Sequence, residues 1–269
     1  MYRLLALDLD GTLLNPRPQK MVTPRTRLAL QRAVSAGVRV VIATGQSLAV
    51  LQDICGDLPI EGPQIIENGA QIADIRTGQI YHEQLLPAEY VLPVLAALRE
   101  AGFHRAYHTR SRVYADVDTP RVRQWYRPPV PPVIEIENVS QLYPEPCIKL
   151  VGVGEESRLR ARRPEFIKLF DGQLYITQSA FDLLEFLHPA VSKHQGLMTI
   201  AQDLGIERGE IVAIGDGHND IGMIQFAGLG VAMGNAHDEV KILADYVTGS
   251  NAEDGVAAVI ENLVLPELR

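Results

Sequence analysis

Four short groups of residues in this 269-residue chain could do chemistry together. Asp8-Leu9-Asp10-Gly11-Thr12 follows the apolar run Leu4-Leu5-Ala6-Leu7 and sets two carboxylates one residue apart at a strand end. Side chains two apart in a strand point the same way. Where the strand opens into a Gly-Thr turn, one carboxylate can face a substrate while the other moves toward a leaving group. That pairing suits a carboxylate nucleophile beside a carboxylic acid; an acidic turn capping the next element is the plainer alternative. Thr44-Gly45 closes a second apolar run, Ser192-Lys193 sits just before a helix, and Gly215-Asp216-Gly217-His218-Asn219-Asp220 closes a third run, Ile211-Val212-Ala213-Ile214. Taken singly they read as a helix cap, a solvated lysine and a capping or calcium-like loop. Their order, and their placement after strands, favours chemistry.

Ligands of open parallel sheets bind outside the carboxyl ends of the strands, which is where these groups fall. Several carboxylates facing one cavity repel one another unless a cation neutralises them. An all-oxygen set suits Mg²⁺, while the Thr44 hydroxyl, Lys193 and backbone amides at helix starts suit a phosphate. The implied reaction is phosphoryl transfer, with Asp8 attacking in line while metal and lysine balance charge.

The elements that must position these residues alternate strand and helix. Arg3–Leu9 reads as a buried strand. Thr23-Pro24 then starts a helix whose apolar face is Leu28, Leu30, Ala33 and Val34, ended by Gly37. Val38–Ala43 is a second strand, Ser47–Cys55 a helix, and Gln64–Glu67 a third strand of one parallel sheet with right-handed crossovers. Turn signals at Asn68-Gly69 and Thr77-Gly78 predict a small meander. A helix from Pro87 to Ala101 follows. Strands are expected at Phe103–Tyr107, Arg112–Ala115, Ile148–Gly152, Leu174–Thr177 and Leu183–Leu187, with a helix over Glu155–Phe170. That order suggests helices on one face of an antiparallel sheet. The α/β alternation returns with a helix Leu197–Leu204, a strand Glu210–Ile214, a helix Asp220–Phe226, a strand Leu229–Ala232 and a helix Glu253–Leu263. The expected architecture is therefore a Rossmann-like, doubly wound α/β core, residues 1–85 and 189–269, with an α+β domain inserted at residues 86–188.

A net charge of −8 disfavours nucleic acid as partner, since phosphate backbones select basic surfaces. The 46 % hydrophobic content contains no run of 18 apolar residues, so no membrane helix is expected. Met1-Tyr2-Arg3 leads straight into the first strand without a secretory signal, which predicts a cytoplasmic protein; the expected assembly is a monomer or small homo-oligomer. Cys55 and Cys147 are expected as free buried thiols. Arg105, Arg110, Arg112, Arg121, Arg123 and Arg127 outnumber Asp116 and Asp118, interspersed with His104, Tyr107, His108, Trp125 and Tyr126. This cluster reads either as a solvated face or as a surface that attracts anionic or sugar substrates. Pro128-Pro129-Val130-Pro131-Pro132 reads as an extended, semi-rigid loop.

Asp8-x-Asp10-Gly11-Thr12, Thr44-Gly45, Lys193 and Gly215-Asp216-x-x-Asn219-Asp220 resemble the four motifs of the haloacid dehalogenase superfamily. The insertion resembles its type C2 cap. Asn68-Gly69-Ala70, Val231-Ala232-Met233-Gly234-Asn235-Ala236 and Asp254-Gly255-Val256-Ala257 make the chain similar to the Cof-type sugar-phosphate phosphatases. The resemblance implies a Mg²⁺-dependent phosphatase acting on a small phosphate monoester through a phosphoaspartate. Asp8 would be nucleophile and metal ligand. Asp10 would be the general acid and then base, with its backbone carbonyl on the metal. Thr44 and the Gly45 amide would hold phosphate oxygens, and Lys193 would neutralise Asp8 and the phosphoryl group. Asp216 would ligate the metal, Asn219 and Asp220 would orient phosphate and metal-bound waters, and Asn68 would line the cavity. Such phosphatases usually carry arginine after Thr-Gly, where this chain has Gln46, which loses the charge and the planar fork. His218 is open as a metal ligand, a neighbour of the leaving group or a loop residue. A sugar-phosphate phosphomutase and a phospho-accepting regulator with little turnover use the same nucleophile; the second carboxylate, Asp10, favours hydrolysis over the regulator.

Overall fold

An unbroken apolar tetrad forms strand β1 (Leu4–Leu7) with all four side chains out of solvent, as a strand covered on both faces requires. The chain leaves it in a wide turn over Leu9–Leu13, two residues earlier than the hydrophobic run suggests. Helix α1 (Pro24–Ser35) follows, with the Thr23 hydroxyl accepting a bond from the Thr26 amide and proline in the first turn. Its buried face is Thr26, Ala29, Leu30 and Ala33, while the expected Leu28 is 48 % exposed. At about 100° per residue Leu28 projects nearly opposite Thr26. Strand β2 (Arg39–Ile42) and helix α2 (Leu48–Cys55) come next.

β3 (Pro63–Ile66), β4 (Gln71–Asp74) and β5 (Ile80–Glu83) form their own three-stranded sheet, with β3 and β4 antiparallel. The expected third parallel strand thus touches the parallel sheet through a single bridge, Ala43 to Ile65. The reason is local: Glu67, Asn68 and Gly69 are all left-handed (φ 49°, 56° and 93°) and reverse the chain.

The computed structural model describes residues 1–16, 20–110, 112–116, 122, 133–180 and 182–265. It divides into two compact units, Met1–His82 with Ser192–Arg269, and Glu83–Val191. The second unit runs α3 (Ala88–Glu100), β6 (His104–His108), β7 (Val113–Ala115), β8 (Ile134–Glu135), β9 (Lys149–Val153), α4 (Glu156–Leu169), β10 (Tyr175–Ala180) and β11 (Leu183–Leu187). Its sheet has the order β10-β11-β9-β6-β7-β8 and is mixed rather than wholly antiparallel, because β8 pairs parallel to β7. A two-residue strand carries no alternation for a sequence to reveal. One sheet face presents Tyr107, Leu150, Leu184 and Phe186 to Leu95, Leu98 and Phe166 of the two helices. A Cβ at Gly152 would lie 2.5 Å from Leu98, so glycine lets α3 approach β9 closely. The opposite face carries a buried Lys149–Glu185 ion pair at 2.7 Å. Two members of the arginine cluster are tied to carboxylates within this unit: Arg105 is buried against Asp116, and Arg110 pairs with Glu83. Arg105 is thereby removed from a solvated face, while the Arg110 side chain stays 64 % exposed. Arg121, Arg123, Arg127, Asp118, Trp125, Tyr126 and the proline run lie outside the described residues.

The chain returns through α5 (Lys193–Asp203), β12 (Ile211–Gly215), α6 (Ile221–Phe226), β13 (Leu229–Ala232), α7 (Asp238–Leu243), β14 (Tyr246–Val247) and α8 (Gly255–Val259), which widens into a final turn to Val264. Helix α5 begins at Lys193 itself, four residues before the apolar periodicity. The parallel sheet has the order β14-β13-β12-β1-β2, with Leu4–Leu7 in register with Ile211–Ile214 on one side and Arg39–Ile42 on the other. Helix α7 and strand β14 were not legible in the sequence; both residues of β14 are exposed. Leu5, Leu7, Val40, Ile42, Val212 and Ile214 bury against one layer. Leu4, Ala6, Val41 and Ala213 bury against Leu197, Ile200 and Met223 on the other. Cys55 and Cys147 are buried free thiols in different units, and burial pushes Cys55 up to about 12. No helix among the described residues is long and apolar enough to cross a membrane.

Gly69 joins two distant segments of the first unit. Its φ is +93°, and a Cβ there would stand 2.2 Å from the Ser192 carbonyl oxygen. Gly69→Ala is therefore expected to destabilise the protein by about 1–3 kcal/mol, from strain and a backbone clash together. Thermal unfolding followed by circular dichroism checks this; an unchanged Tm would remove Gly69 as the fitting point for Ser192.

Candidate active site

Strands β1, β2 and β12 end side by side, and the loops after them carry the chemistry. The Asp8 amide still donates to the Ile214 carbonyl at 3.0 Å, so the nucleophile candidate is anchored to the sheet. Beyond it the backbone closes a wide turn through Leu13 N to Asp8 O (3.3 Å) and Leu14 N to Leu9 O (3.0 Å). Gly11 sits in that turn at φ +89°, and a Cβ would be 2.3 Å from Asp216 Oδ2. Only glycine allows the Asp216 carboxylate to lie against the turn. Thr12 Oγ1 then donates to Asp216 Oδ1 at 3.1 Å.

Lys193 is 1 % exposed and is the first residue of α5, whose Ser192 cap accepts from the Gln195 amide. Its Nζ donates to Asp8 Oδ1 and to Asp220 Oδ1, both at 2.6 Å. Asp220 Oδ2 accepts the Asp216 and Gly217 amides at 3.0 and 2.9 Å, so both of its oxygens are engaged. Asp8 Oδ2, by contrast, is buried with no hydrogen-bond partner among the described residues.

Three carboxylates thus share one ammonium, and the electrostatics follow. Burial would push Lys193 down, but Asp220 and Asp8 hold it above the usual lysine value. Asp8 is raised well above the ordinary carboxylate range by burial, with Asp220 and Asp216 adding to the rise against the pull of Lys193. Asp216 is raised to about 6, by burial first and Asp220 second. Oxygens of Asp8, Asp216 and Asp220 lie within 4.8 Å of one another. An orphaned buried carboxylate oxygen beside an all-oxygen, under-neutralised set fits a hard divalent cation. Since Asp220 is saturated by lysine and amides, Asp8 and Asp216 are the side chains left to hold one.

A second cluster lies on the β2 loop. Thr44 is buried; its amide donates to Ile65 O, its carbonyl accepts the Asn68 amide, and its hydroxyl accepts the Gln46 amide at 3.1 Å. A Cβ at Gly45 would stand 3.1 Å from the Asn68 side-chain amide. Asn68 is fully buried, and its Oδ1 accepts from Asn219 Nδ2 at 2.9 Å. The structure therefore brings Thr44, Gly45, Asn68 and Asn219 together, and separately Asp8, Lys193, Asp216 and Asp220.

Asp10 is held in neither cluster. Its side chain is 31 % exposed, and its two oxygens accept from Lys20 Nζ at 2.5 Å and Gln46 Nε2 at 2.7 Å. Gln46, the departure from the usual arginine, is thus a neutral hydrogen-bond donor to this carboxylate. His218 begins the short helical turn His218–Asp220, faces Glu239 at 2.9 Å and packs tilted against the His237 ring.

Lys20, Asn235 and Asn251 were missed as site residues in the sequence, and Thr12 was read as part of the first motif without a role of its own. Asn235 Nδ2 donates to Gly11 O at 2.8 Å, and Asn251 Nδ2 to Leu14 O at 2.7 Å, fastening both ends of the turn after Asp8. Asp254 accepts the hydroxyls of Thr23 and Thr26, tying the start of α1 to α8. The signal for Asn235 and Asp254 was present in the two glycine-containing motifs around them. Lys20 and Asn251 had none, because an isolated lysine or asparagine in a loop has no period.

Residues 5–260 match the haloacid dehalogenase-like hydrolase family. A putative phosphatase of Bacillus subtilis, YxeH, is 33 % identical over 98 % of this chain and 99 % of its own length. The 5-amino-6-(5-phospho-D-ribitylamino)uracil phosphatase YcsE of the same organism is 31 % identical over 98 % of this chain and 96 % of its own. The crystal structure of a haloacid dehalogenase-like hydrolase from Bacteroides thetaiotaomicron superposes with a TM-score of 0.84 at 31 % identity, covering 98 % of this chain and 100 % of that one. Likeness that extends from end to end in sequence and in fold leaves one assignment: the chain belongs to the haloacid dehalogenase-like hydrolase family and is a phosphoric monoester hydrolase.

Proposed function

We propose that the protein is a Mg²⁺-dependent phosphatase that hydrolyses a small phosphate monoester, a sugar phosphate or related metabolite, through an aspartyl phosphate. The observation that carries this reading is the state of Asp8: buried, with one oxygen held by Lys193 and the other, Oδ2, without a partner. A carboxylate in that state is oriented by the ammonium and keeps lone pairs for both a cation and a phosphorus atom. The uracil phosphatase named above supports an organic phosphate of metabolite size.

In the first half-reaction an Asp8 carboxylate oxygen forms a bond to phosphorus as the bond to the ester oxygen breaks, and Asp10 gives that ester oxygen its proton. In the second, Asp10 takes a proton from water, whose oxygen attacks phosphorus and releases Asp8 and inorganic phosphate. Lys193 offsets the charge on Asp8 and the transferred group, while Thr44, the Gly45 amide and Asn219 hold phosphoryl oxygens. Asn68 acts through its bond to Asn219 and Asp220 through its bonds to Lys193 and two amides. Asp8, the Asp10 carbonyl and Asp216 would hold Mg²⁺, which when bound supplies positive charge to the phosphoryl oxygens and to the acidic cluster.

Asp8→Asn should abolish turnover while the fold survives. Asp10→Asn should cost roughly 10²–10⁴ in kcat with alkyl phosphates, and less with nitrophenyl phosphate, whose leaving group needs no proton. Released phosphate measured for both esters tests the pair; equal losses would contradict the acid role of Asp10.

Metal should act on stability as well as rate. Asp216 is raised to about 6 in the folded protein from an ordinary value of 3.8, so its ionisation opposes folding above that range. In chelator this cost should fade as pH drops through about 6 toward 4, and Mg²⁺ at pH 7 should raise Tm. Asp216→Asn should raise the Tm of the chelated protein at pH 7 and blunt the rise with Mg²⁺. A variant whose Tm responds to Mg²⁺ as the parent does would remove Asp216 from the metal site.

A further inference from the structure

We infer that Lys20 and Gln46 form a two-point clamp on Asp10 and are positioning residues for its proton transfers. This rests on the reading of Asp10 as the acid and base of the reaction. The clamp takes one oxygen each: Lys20 Nζ to Oδ1 at 2.5 Å and Gln46 Nε2 to Oδ2 at 2.7 Å. An aspartate carboxyl otherwise rotates broadly about its last torsion. Donors on both oxygens define its plane. Each carboxylate oxygen has two acceptor positions, so the clamp uses one per oxygen and leaves the other for a leaving group or water.

Both donors are themselves held. The Gln46 amide donates to Thr44 Oγ1 at 3.1 Å, and its carbonyl accepts the Glu67 amide at 3.0 Å, which ties the clamp to the phosphate-binding candidate Thr44. Lys20 stands at φ +41°, a conformation a lysine rarely takes. The neck beside it is closed by a reciprocal pair, Asn15 N to Met21 O at 3.0 Å and Met21 N to Asn15 Oδ1 at 2.8 Å. A left-handed, β-carbon-bearing residue persists where the surroundings over-determine it, and here the product of that strain is an ammonium delivered to Asp10. Stability does not account for the contact, since an ion pair with partners 34 % and 31 % exposed contributes little to folding. Orientation of the carboxyl is what it supplies.

The test is steady-state kinetics of the full chain with Mg²⁺, on glycerol 2-phosphate as an alkyl ester and on nitrophenyl phosphate. Lys20→Met should lower kcat for the alkyl ester by roughly tenfold, within the range that misplacement of a catalytic group produces, with KM little changed. The loss with nitrophenyl phosphate should be smaller. Lys20→Arg should restore most of the alkyl-ester rate. Gln46→Leu should repeat the Lys20→Met pattern, and Gln46→Glu should lose more because it sets a like charge against Asp10. In an Asp10→Asn background, Lys20→Met should add no further selective loss. Equal losses on both esters, no loss, or an added selective loss in the Asp10→Asn background would each overturn the clamp. Should Asp10→Asn itself fail to discriminate between the esters, the acid assignment falls and the clamp with it. Should Asp10→Asn discriminate and Lys20→Met not, the clamp alone falls.

Discussion

One buried ammonium organises the site. Lys193 lies at the start of α5, nearly free of solvent, between Asp8 and Asp220. A lysine in that position is tolerable because two carboxylates meet it at 2.6 Å; removing the ammonium would leave buried carboxylates facing one another, at a cost of about 3–5 kcal/mol. Its backbone is set by the Ser192 cap and by the close approach of Gly69 to the Ser192 carbonyl. Asp220 in turn spends its second oxygen on the Asp216 and Gly217 amides, which shapes the loop that presents Asp216. Two of the three acidic positions thus meet the lysine directly, and the third is presented through Asp220.

The charge is left deliberately unbalanced in the physical sense that three carboxylates answer to one ammonium. Burial and mutual repulsion raise Asp8 and Asp216, and Thr12 is among the neutral donors that steady Asp216. An interior so arranged favours the arrival of positive charge. Its members are not interchangeable, because Asp220 is already satisfied while Asp8 retains an orphaned oxygen. The distinction between a ligand and a support is therefore written in hydrogen bonds and not in residue type.

The turn after Asp8 is the other constraint. Wide turns have few backbone bonds of their own, and this one is fastened from outside by Asn235 on Gly11 O and Asn251 on Leu14 O. Glycines at 11, 69 and 215 sit where another residue's carboxylate or carbonyl occupies the space of a β-carbon. Motifs remote from the acidic groups are in this way part of the site's geometry: they hold the backbone on which Asp8 and Asp10 are carried.

Much of the parallel core was legible in the sequence, because Leu4–Leu7, Val40–Ile42 and Ile211–Ile214 are continuous apolar runs and a doubly covered strand leaves that signature. The groups at their ends could be read from residue type, since carboxylates, a threonine and glycines after strands have limited alternatives. Periodicity could not show that Ile65 belongs to a separate antiparallel sheet, as that follows from three consecutive left-handed residues at 67–69. Strands of two residues at 134–135 and 246–247 had no period to detect. Nor could residue type assign partners. Lys193 could be singled out as a lysine, but that it is buried between Asp8 and Asp220, and that Lys20 and Gln46 take the two oxygens of Asp10, are facts of distance. The sequence by itself determined which groups of the right chemistry end the strands; which oxygen each group engages was decided by tertiary structure, because hydrogen bonds join residues up to 237 positions apart and no local pattern encodes them.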